Sequence, residues 1–307
     1  MTTADLVVGG AGFIGSHLAL ALEAEGNRVR VLDNFSTGKS ENLKGFGGEI
    51  VAGDAADPAA VMEACKDIDR IFHLAARASV PFSVEFPKEA EEANHGTTLA
   101  LLSAAQANDI KRFVFSSSSA VYGESPELPK HEDMKPNPVS PYAAHKLAGE
   151  SAMAAAASSM TCISLRYFNV FGPKQDHSSP YSGVVSLFAR LAHCDEPASI
   201  YGDGTQTRDF VFVDDVVRAN LLAGDLKTEH KASVFNVGTG TPSAVIDIWN
   251  LICGLSGREG LAPKFLPARS GDIQHSVCDP QKATAGMGFT ATTSLQEGLA
   301  ATLATTD

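Results

Sequence analysis

The sequence predicts an α/β fold: a doubly wound parallel sheet followed by a smaller C-terminal α/β lobe. Three observations carry the prediction. Short apolar runs recur through the first half of the 307 residues. Segments with helical spacing separate them, and a glycine-rich turn, Gly9-Gly10-Ala11-Gly12-Phe13-Ile14-Gly15, joins the first run to the first helical segment. Strands buried in a parallel sheet read as continuous apolar runs, and strands that alternate with helices build such a sheet.

The first strand is read at Leu6 to Gly9, and the helix beyond the glycine turn carries Ser16-His17-Leu18-Ala19-Leu20-Ala21-Leu22. Further strands are read at Val29 to Leu32, Glu49 to Val51, Arg70 to Leu74, Phe113 to Ser116 and Ile163 to Tyr167. A helix starts near Pro141 and continues through the alanine-rich stretch Ala152 to Ala157, alanine being the best helix former. After Gly172-Pro173 the rhythm breaks. A loop rich in Ser, Pro and Gly (Lys174 to Gly183) precedes a helix near Val184 to His193, short strands around Ile200 and Phe210 to Val213, and further helices. The expected division is therefore a doubly wound domain over 1–175, whose later strands and helices can include parts of 210–245, and a mainly substrate-binding lobe over 176–307.

Composition narrows the partners. With 24 Lys and Arg against 36 Asp and Glu, the formal net charge is −12, which argues against nucleic acid, since that ligand needs a basic surface. The cysteines at 65, 162, 194, 253 and 278 are odd in number and form no C-x-x-C pair, so neither a disulfide framework nor a metal site is expected. The N-terminus lacks the basic and uninterrupted apolar regions of a signal peptide, and no run of about 18 apolar residues could span a membrane. A cytoplasmic location follows as the expectation.

A G-x-G-x-x-G string has meaning when a buried strand leads into it and a helix leads out, because bare backbone can then approach a pyrophosphate at the helix N-terminus. Gly9, Gly12 and Gly15, with Gly10, meet that condition. Asp33 ends the second strand 23 residues beyond Gly10, close to the roughly 20-residue spacing at which a carboxylate takes the adenosine ribose hydroxyl; the other reading is an Asp that only starts the turn Asp33-Asn34. Asn34 stands where an NADP enzyme often has Arg, and Asp33 would repel a 2′-phosphate, so NAD is favoured over NADP, with Lys39 nearby. Asp54, after Gly53, either presents its carboxylate to the adenine amino group or ends a strand.

In Tyr142-Ala143-Ala144-His145-Lys146 a helix sets Tyr142 and Lys146 on one face at i and i+4. A free phenol has a pKa of about 10, and bringing it roughly three units down requires about 4 kcal/mol in favour of the phenolate. A lysine ammonium and an oxidised nicotinamide together can supply it. Ser116-Ser117-Ser118-Ser119-Ala120-Val121-Tyr122-Gly123 ends the fifth strand at the carboxyl edge, where ligands of open parallel sheets bind. A hydroxyl there reaches the same substrate oxygen as Tyr142, although Ser116, Ser117 and Ser119 read as a plain polar strand end.

Taken in order with Arg166-Tyr167-Phe168-Asn169-Val170-Phe171-Gly172-Pro173, Arg208-Asp209-Phe210-Val211-Phe212-Val213-Asp214-Asp215 and Asn236-Val237-Gly238, these motifs resemble the extended short-chain dehydrogenase/reductases. More narrowly, residues from about 4 to 285 resemble the NAD-dependent epimerase/dehydratase group, and within it the UDP-hexose 4-epimerases. The resemblance implies a Rossmann sheet, NAD as cofactor, a UDP-sugar as substrate and a homodimer. It selects Ser118, Tyr142 and Lys146 as catalytic, Tyr142 as the base and Lys146 also as a ribose ligand. On the cofactor side it implies Gly9, Gly12, Phe13, Ile14, Gly15, Asp33, Asn34, Asp54, Ala55, Leu74, Ala75, Ala76, Asn94 and Phe168. On the substrate side it implies Ser118, Asn169, Arg208, Arg269, Asp272 and Ser276, the two arginines gripping the diphosphate through guanidinium forks.

Ser276 matches the position at which a bulky Tyr restricts these enzymes to non-acetylated sugars, so the small side chain implies room for a 2-acetamido group. Three residues depart from the pattern: Val8 replaces Thr or Ser before the glycines, Thr97 replaces Gly, and Arg77 replaces a neutral polar residue. The expected reaction takes a proton from the C4 hydroxyl to Tyr142 and a hydride from C4 to NAD⁺. The 4-keto sugar then turns and accepts the hydride on its other face. A dehydratase or decarboxylase is weakened by Ser119 and Ala120, which stand where those enzymes carry acidic residues. A UDP-glucuronate 4-epimerase and a non-catalytic NAD-binding sensor stay open as alternatives.

Overall fold

Seven parallel strands make the central sheet, in the spatial order Ala232–Val237, Thr161–Tyr167, Arg112–Ser118, Arg70–His73, Ala4–Val8, Arg28–Asp33 and Glu49–Ala52. The computed structural model describes residues 2–176, 183–227, 231–268 and 273–305. In chain order the first part comprises β1 (Ala4–Val8), α1 (Phe13–Ala24), β2 (Arg28–Asp33), β3 (Glu49–Ala52), α2 (Pro58–Ala64) and β4 (Arg70–His73). It continues with α3 (Val80–Glu85), α4 (Pro87–Glu91), α5 (Thr97–Ala107), β5 (Arg112–Ser118), α6 (Pro141–Ala156) and β6 (Thr161–Tyr167). All six strands expected from the apolar runs are present within a residue or two of their expected bounds. Apart from the edge strand β3, which is largely exposed, their interiors are buried because helices cover both faces: Leu18, Leu22, Val216 and Met287 pack on one side, and Val61, Leu101 and Met153 on the other.

The chain then leaves the sheet through β7 (Asn169–Phe171), α7 (Val184–His193), β8 (Ser199–Tyr201) and β9 (Thr207–Phe212). It returns through α8 (Val213–Asp225) to β10 (Ala232–Val237), which pairs with β6 in the register Val234 to Ser164. Beyond it lie β11 (Pro242–Ala244), α9 (Val245–Leu255), β12 (Lys264–Leu266), α10 (Gln281–Met287) and α11 (Leu295–Leu303). A second, three-stranded sheet has the order β11-β9-β7. Around it Phe171, Phe188, Phe212, Trp249 and Leu299 form a separate core.

Local chemistry sets the helices that matter for the site. Ser140 caps α6 by accepting from Ala143 N at 3.2 Å, and Pro141 occupies the first turn, where its missing N–H is harmless. Gly149 lets α6 press onto β5, since a Cβ there would stand 2.5 Å from Phe115 Cζ. Between α4 and α5 the helix widens into a π turn over Glu92–Gly96, the kind of irregularity that often accompanies a functional site. Among the described residues no helix is long and apolar enough to cross a membrane.

Candidate active site

The glycine turn lies where β1 meets α1, and it is packed too closely for side chains. Gly9 has φ of +79°, and a Cβ there would meet Ala75 N at 2.6 Å; on Gly15 a Cβ would meet Gly9 O at 2.1 Å. The N-cap of α1 is Gly12, which offers no side-chain cap. The first amides of the helix are thus left for a ligand, and a pyrophosphate suits them in charge and geometry. Asp33 clips this turn to β2: one carboxylate oxygen accepts from Ala11 N and the other from Phe35 N, both at 2.8 Å. Asn34 donates to Asp54 at 3.0 Å, and Asp54 in turn accepts from Ala56 N at 2.8 Å.

These groups line a cavity of about 700 Å³ that continues to Ser118, Tyr142 and Lys146. Phe13, Ile14, Ala55, Leu74, Ala75, Ala76 and Phe168 line it as well. A cavity of this size, walled by bare backbone at the pyrophosphate end and by Asp33 at the ribose end, fits a dinucleotide. Of the cofactor-side residues named from the sequence, Asn94 alone is not on its wall. The Asn94 amide instead accepts from Arg77 N at 2.7 Å and donates to Arg77 O at 3.4 Å, which holds the chain after β4 in place. Lys174, which the sequence marks only as the start of a loop, lines the cavity and donates to Asn42 O at 2.7 Å. Asp176 meets Lys39 at 3.5 Å. These contacts tie the chain after β7 to the loop after β2, and no local sequence signal announces so distant a pairing.

At the other end, α6 presents Tyr142 and Lys146 to the end of β5. Burial pushes the Tyr142 phenol above the ordinary value, and the neighbouring Ser118 hydroxyl opposes the rise. Lys146 is 4 % exposed. Its Nζ donates to Ser116 O at 2.7 Å and stands 5.8 Å from the centre of the Tyr142 ring and 5.0 Å from that of Phe115. With one carbonyl and two ring faces in place of water, burial brings the ammonium down to about 8. Nearby, burial and then the charge of Lys146 bring His73 down to about 3, so this imidazole stays neutral at any working pH.

Of the residues that the resemblance assigns to the substrate, Asn169 is exposed at the start of β7. Arg208 on β9 donates to Thr207 O at 2.8 Å and to Gln274 O at 3.4 Å, and Ser276 N donates to the same Thr207 O at 3.1 Å. Strand β9 thereby brings Arg208 and Ser276 together, although neither they nor Asn169 line the 700 Å³ cavity. Arg269 and Asp272 lie outside the described residues.

Comparison with known proteins agrees with this geometry. The profile of the NAD dependent epimerase/dehydratase family matches residues 6–238. A UDP-glucose 4-epimerase of Mycolicibacterium smegmatis is 38% identical over 307 residues, covering 97% of this chain and 96% of that protein. Among solved structures, a UDP-N-acetylglucosamine 4-epimerase from Methanobrevibacter ruminantium M1, in complex with UDP-N-acetylmuramic acid, has a TM-score of 0.94 at 38% identity, covering 99% of this chain and 98% of that one. A UDP-glucose 4-epimerase from Thermotoga maritima with UDP-glucose has a TM-score of 0.93 at 37% identity and the same coverage. The chain belongs to the NAD-dependent epimerase/dehydratase family: it is an isomerase of the UDP-glucose 4-epimerase type, with a Rossmann-like fold and NAD as its cofactor.

Proposed function

We propose that this enzyme inverts C4 of UDP-hexoses, interconverting UDP-glucose and UDP-galactose, and that it also takes UDP-N-acetylglucosamine and UDP-N-acetylgalactosamine. The observation that carries the reading is the convergence of Ser118, Tyr142 and Lys146 at one end of a cavity whose other end is the glycine turn. Bound there, NAD supplies the acceptor and donor of the C4 hydride. Tyr142 Oη takes the proton of the C4 hydroxyl and later returns it, within hydrogen-bond reach of Ser118. Lys146 favours the phenolate by its charge and also holds the cofactor ribose. Arg208 and Arg269 hold the diphosphate, with Asn169 and Asp272 beside the nucleotide-sugar, so residues 176–307 act mainly as the substrate lobe. The small side chain of Ser276, a hydroxymethyl group where a bulky Tyr would restrict the sugar, supports the acetylated substrates.

Turnover of UDP-galactose and of UDP-N-acetylgalactosamine by wild type and Ser276→Tyr tests the substrate range, with UDP-glucuronate as a third arm. Both neutral sugars are expected to turn over in wild type, and the variant is expected to lose the acetylated one. Conversion of UDP-glucuronate alone would replace this reading with that of a uronate epimerase. Tyr142→Phe is expected to keep its NAD and lose turnover by orders of magnitude; undiminished turnover would remove Tyr142 as the base. The same reading includes a homodimer in the cytoplasm. Exposed Val84, Phe86 and Leu99, from α3 to α5, support the former, and sedentation of the purified protein as a dimer by analytical ultracentrifugation is its check.

A further inference from the structure

Three consecutive residues at the end of β5 are each tied to α6, at successive turns of the helix. The Tyr142 phenol faces Ser118 closely enough for that hydroxyl to oppose its rise, and Lys146 Nζ donates to Ser116 O at 2.7 Å. One further turn along, Ser117 Oγ donates to Glu150 Oε1 at 2.5 Å. Spacing of i, i+4 and i+8 keeps all three helix residues on one face, and Gly149 allows that face to reach the strand. Ser117 and Glu150 are 2 % and 8 % exposed. Neither lies within the Tyr-x-x-x-Lys signature, and the sequence reading treated Ser117 as a plain polar strand end.

The third tie is itself anchored. Arg166 on β6 meets Glu150 through a fork, Nε to Oε1 at 2.8 Å and Nη2 to Oε2 at 2.7 Å. Its guanidinium carbon lies 4.9 Å from the centre of the Tyr122 ring, and Tyr122 OH donates to Asn236 Oδ1 on β10 at 2.6 Å. A planar guanidinium bonded through two nitrogens fixes both the position and the rotation of the carboxylate. The carboxylate oxygen that accepts from Ser117 is therefore held from β6, and through Tyr122 from β10, rather than by α6 alone. Buried ion pairs contribute little net stability compared with apolar side chains of the same volume, so stability alone does not account for such a pair beside the catalytic strand end.

We propose that Ser117, Glu150 and Arg166 form a positioning unit that fixes the end of β5 against α6, and with it the distance between Ser118 and Tyr142. Ser117 lies on the cavity wall beside Ser118, but its hydroxyl is committed to Glu150. It acts through the backbone of Ser117, one residue from the Ser118 hydroxyl, and rests on the assignment of Ser118 and Tyr142 to the reaction. A displacement of about 1 Å at a reacting group is enough to slow a reaction by about 100-fold.

Ser117→Ala is the direct test, because it removes one hydroxyl and leaves the Glu150–Arg166 pair intact. Steady-state kinetics on UDP-galactose, NAD content and thermal midpoint are measured for the holoenzyme, with Tyr142→Phe in parallel. The expected result is a kcat lower by roughly 10- to 100-fold, the loss that a misplacement of up to 1 Å produces. KM, NAD content and midpoint are expected to stay close to wild type. Wild-type kcat in Ser117→Ala would overturn the proposal, and so would a loss in which KM rises and NAD is released together, since that marks general distortion. If Tyr142→Phe is inactive while Ser117→Ala is unimpaired, the positioning unit alone fails; if Tyr142→Phe stays active, the reading of the site fails with it.

Discussion

Replacing Gly15 by Ala sets helix propensity against the shape of the cofactor turn. The residue lies in the first turn of α1, and in an open helix this exchange gains up to about 1 kcal/mol. Here the new Cβ would stand 2.1 Å from Gly9 O and 2.9 Å from both Gly10 Cα and Gly9 C. All three are backbone atoms, so no rotamer change relieves them; the turn must open by about 1 Å to restore ordinary separation. Overpacking of that order costs about 1–3 kcal/mol, and the net expectation is a destabilisation of about 1–2 kcal/mol. On the proposed reading NAD binding suffers more, because the same movement displaces amides that would face its pyrophosphate. Losing one hydrogen bond to a charged group costs about 1.5–3 kcal/mol, or roughly 10- to 100-fold in NAD affinity. Titration calorimetry with NAD on cofactor-stripped protein, and urea unfolding, measure both effects. Gly254→Ala is the control: a Cβ there meets nothing within 4 Å, and it is expected to be neutral or stabilising with NAD affinity unchanged. Gly15→Ala with the NAD affinity and urea midpoint of wild type would refute the reasoning.

Lys146→Met is expected to remove turnover and yet to stabilise the cofactor-free protein. Burial holds the ammonium at about 8 instead of its ordinary 10.5, so the charged form opposes folding below pH 8, and that opposition fades as pH rises from about 8 to 10.5. The gap corresponds to about 3 kcal/mol at pH 7, reduced by the lost bond to Ser116 O, and a urea midpoint below that of wild type at pH 7 would contradict it. The same titration predicts that wild-type kcat falls on the alkaline side as the ammonium is lost; His73 cannot supply that limb, because it is held near 3. A wild-type kcat that stays flat from about pH 7 to about pH 10 would contradict this role of the ammonium. Asp33→Ala leaves the amides of Ala11 and Phe35 without their acceptor and is expected to weaken NAD by at least about 10-fold; calorimetry showing unchanged affinity would exclude a role for this carboxylate. Arg166→Met is expected to lose about 3–5 kcal/mol by leaving Glu150 buried without a counter-charge, and adding Glu150→Leu is expected to recover most of it. Urea unfolding of the single and double variants checks the coupling, and additive losses would argue against it.

The legible parts of this chain are those encoded within one strand and its following helix. Leu6, Val7 and Val8 are fully buried because helices lie on both sides of β1, and that environment leaves an uninterrupted apolar run. The glycine turn and Tyr142-x-x-x-Lys146 are local as well. Strand β10 is absent from the strands expected on sequence: Ala232-Ser-Val-Phe-Asn-Val is exposed or half-buried over its first three residues, and it joins β6 only after the excursion from β7 to α8. The partners of the site are less legible still. Ser117 and Glu150 are 33 residues apart, and Lys174 and Asn42 are 132 apart; a run of serines or one lysine after Gly172-Pro173 carries no sign of such pairing. Asn94 shows the same limit from the other side, since its amide serves the Arg77 backbone within the π turn region rather than the cavity wall.

Burial acts on the two groups of the Tyr142–Lys146 pair in opposite directions, and both shifts work against the phenolate. The phenol is raised and the ammonium lowered, so the resting protein keeps the proton on Tyr142, and Ser118 only softens that preference. A further positive charge in the cavity, beside the phenol, is what the arrangement lacks, and in a site from which water is excluded such a charge acts strongly. Tyr142 should therefore become a competent base only when the oxidised cofactor is in place, which restricts proton removal to complexes able to take the hydride. Difference absorbance titration of tyrosinate, compared between wild type and Tyr142→Phe, is expected to show the Tyr142 transition at lower pH with NAD⁺ than with NADH. Equal transitions in the two forms would mean that Lys146 and Ser118 suffice, and that the base is not gated by cofactor charge.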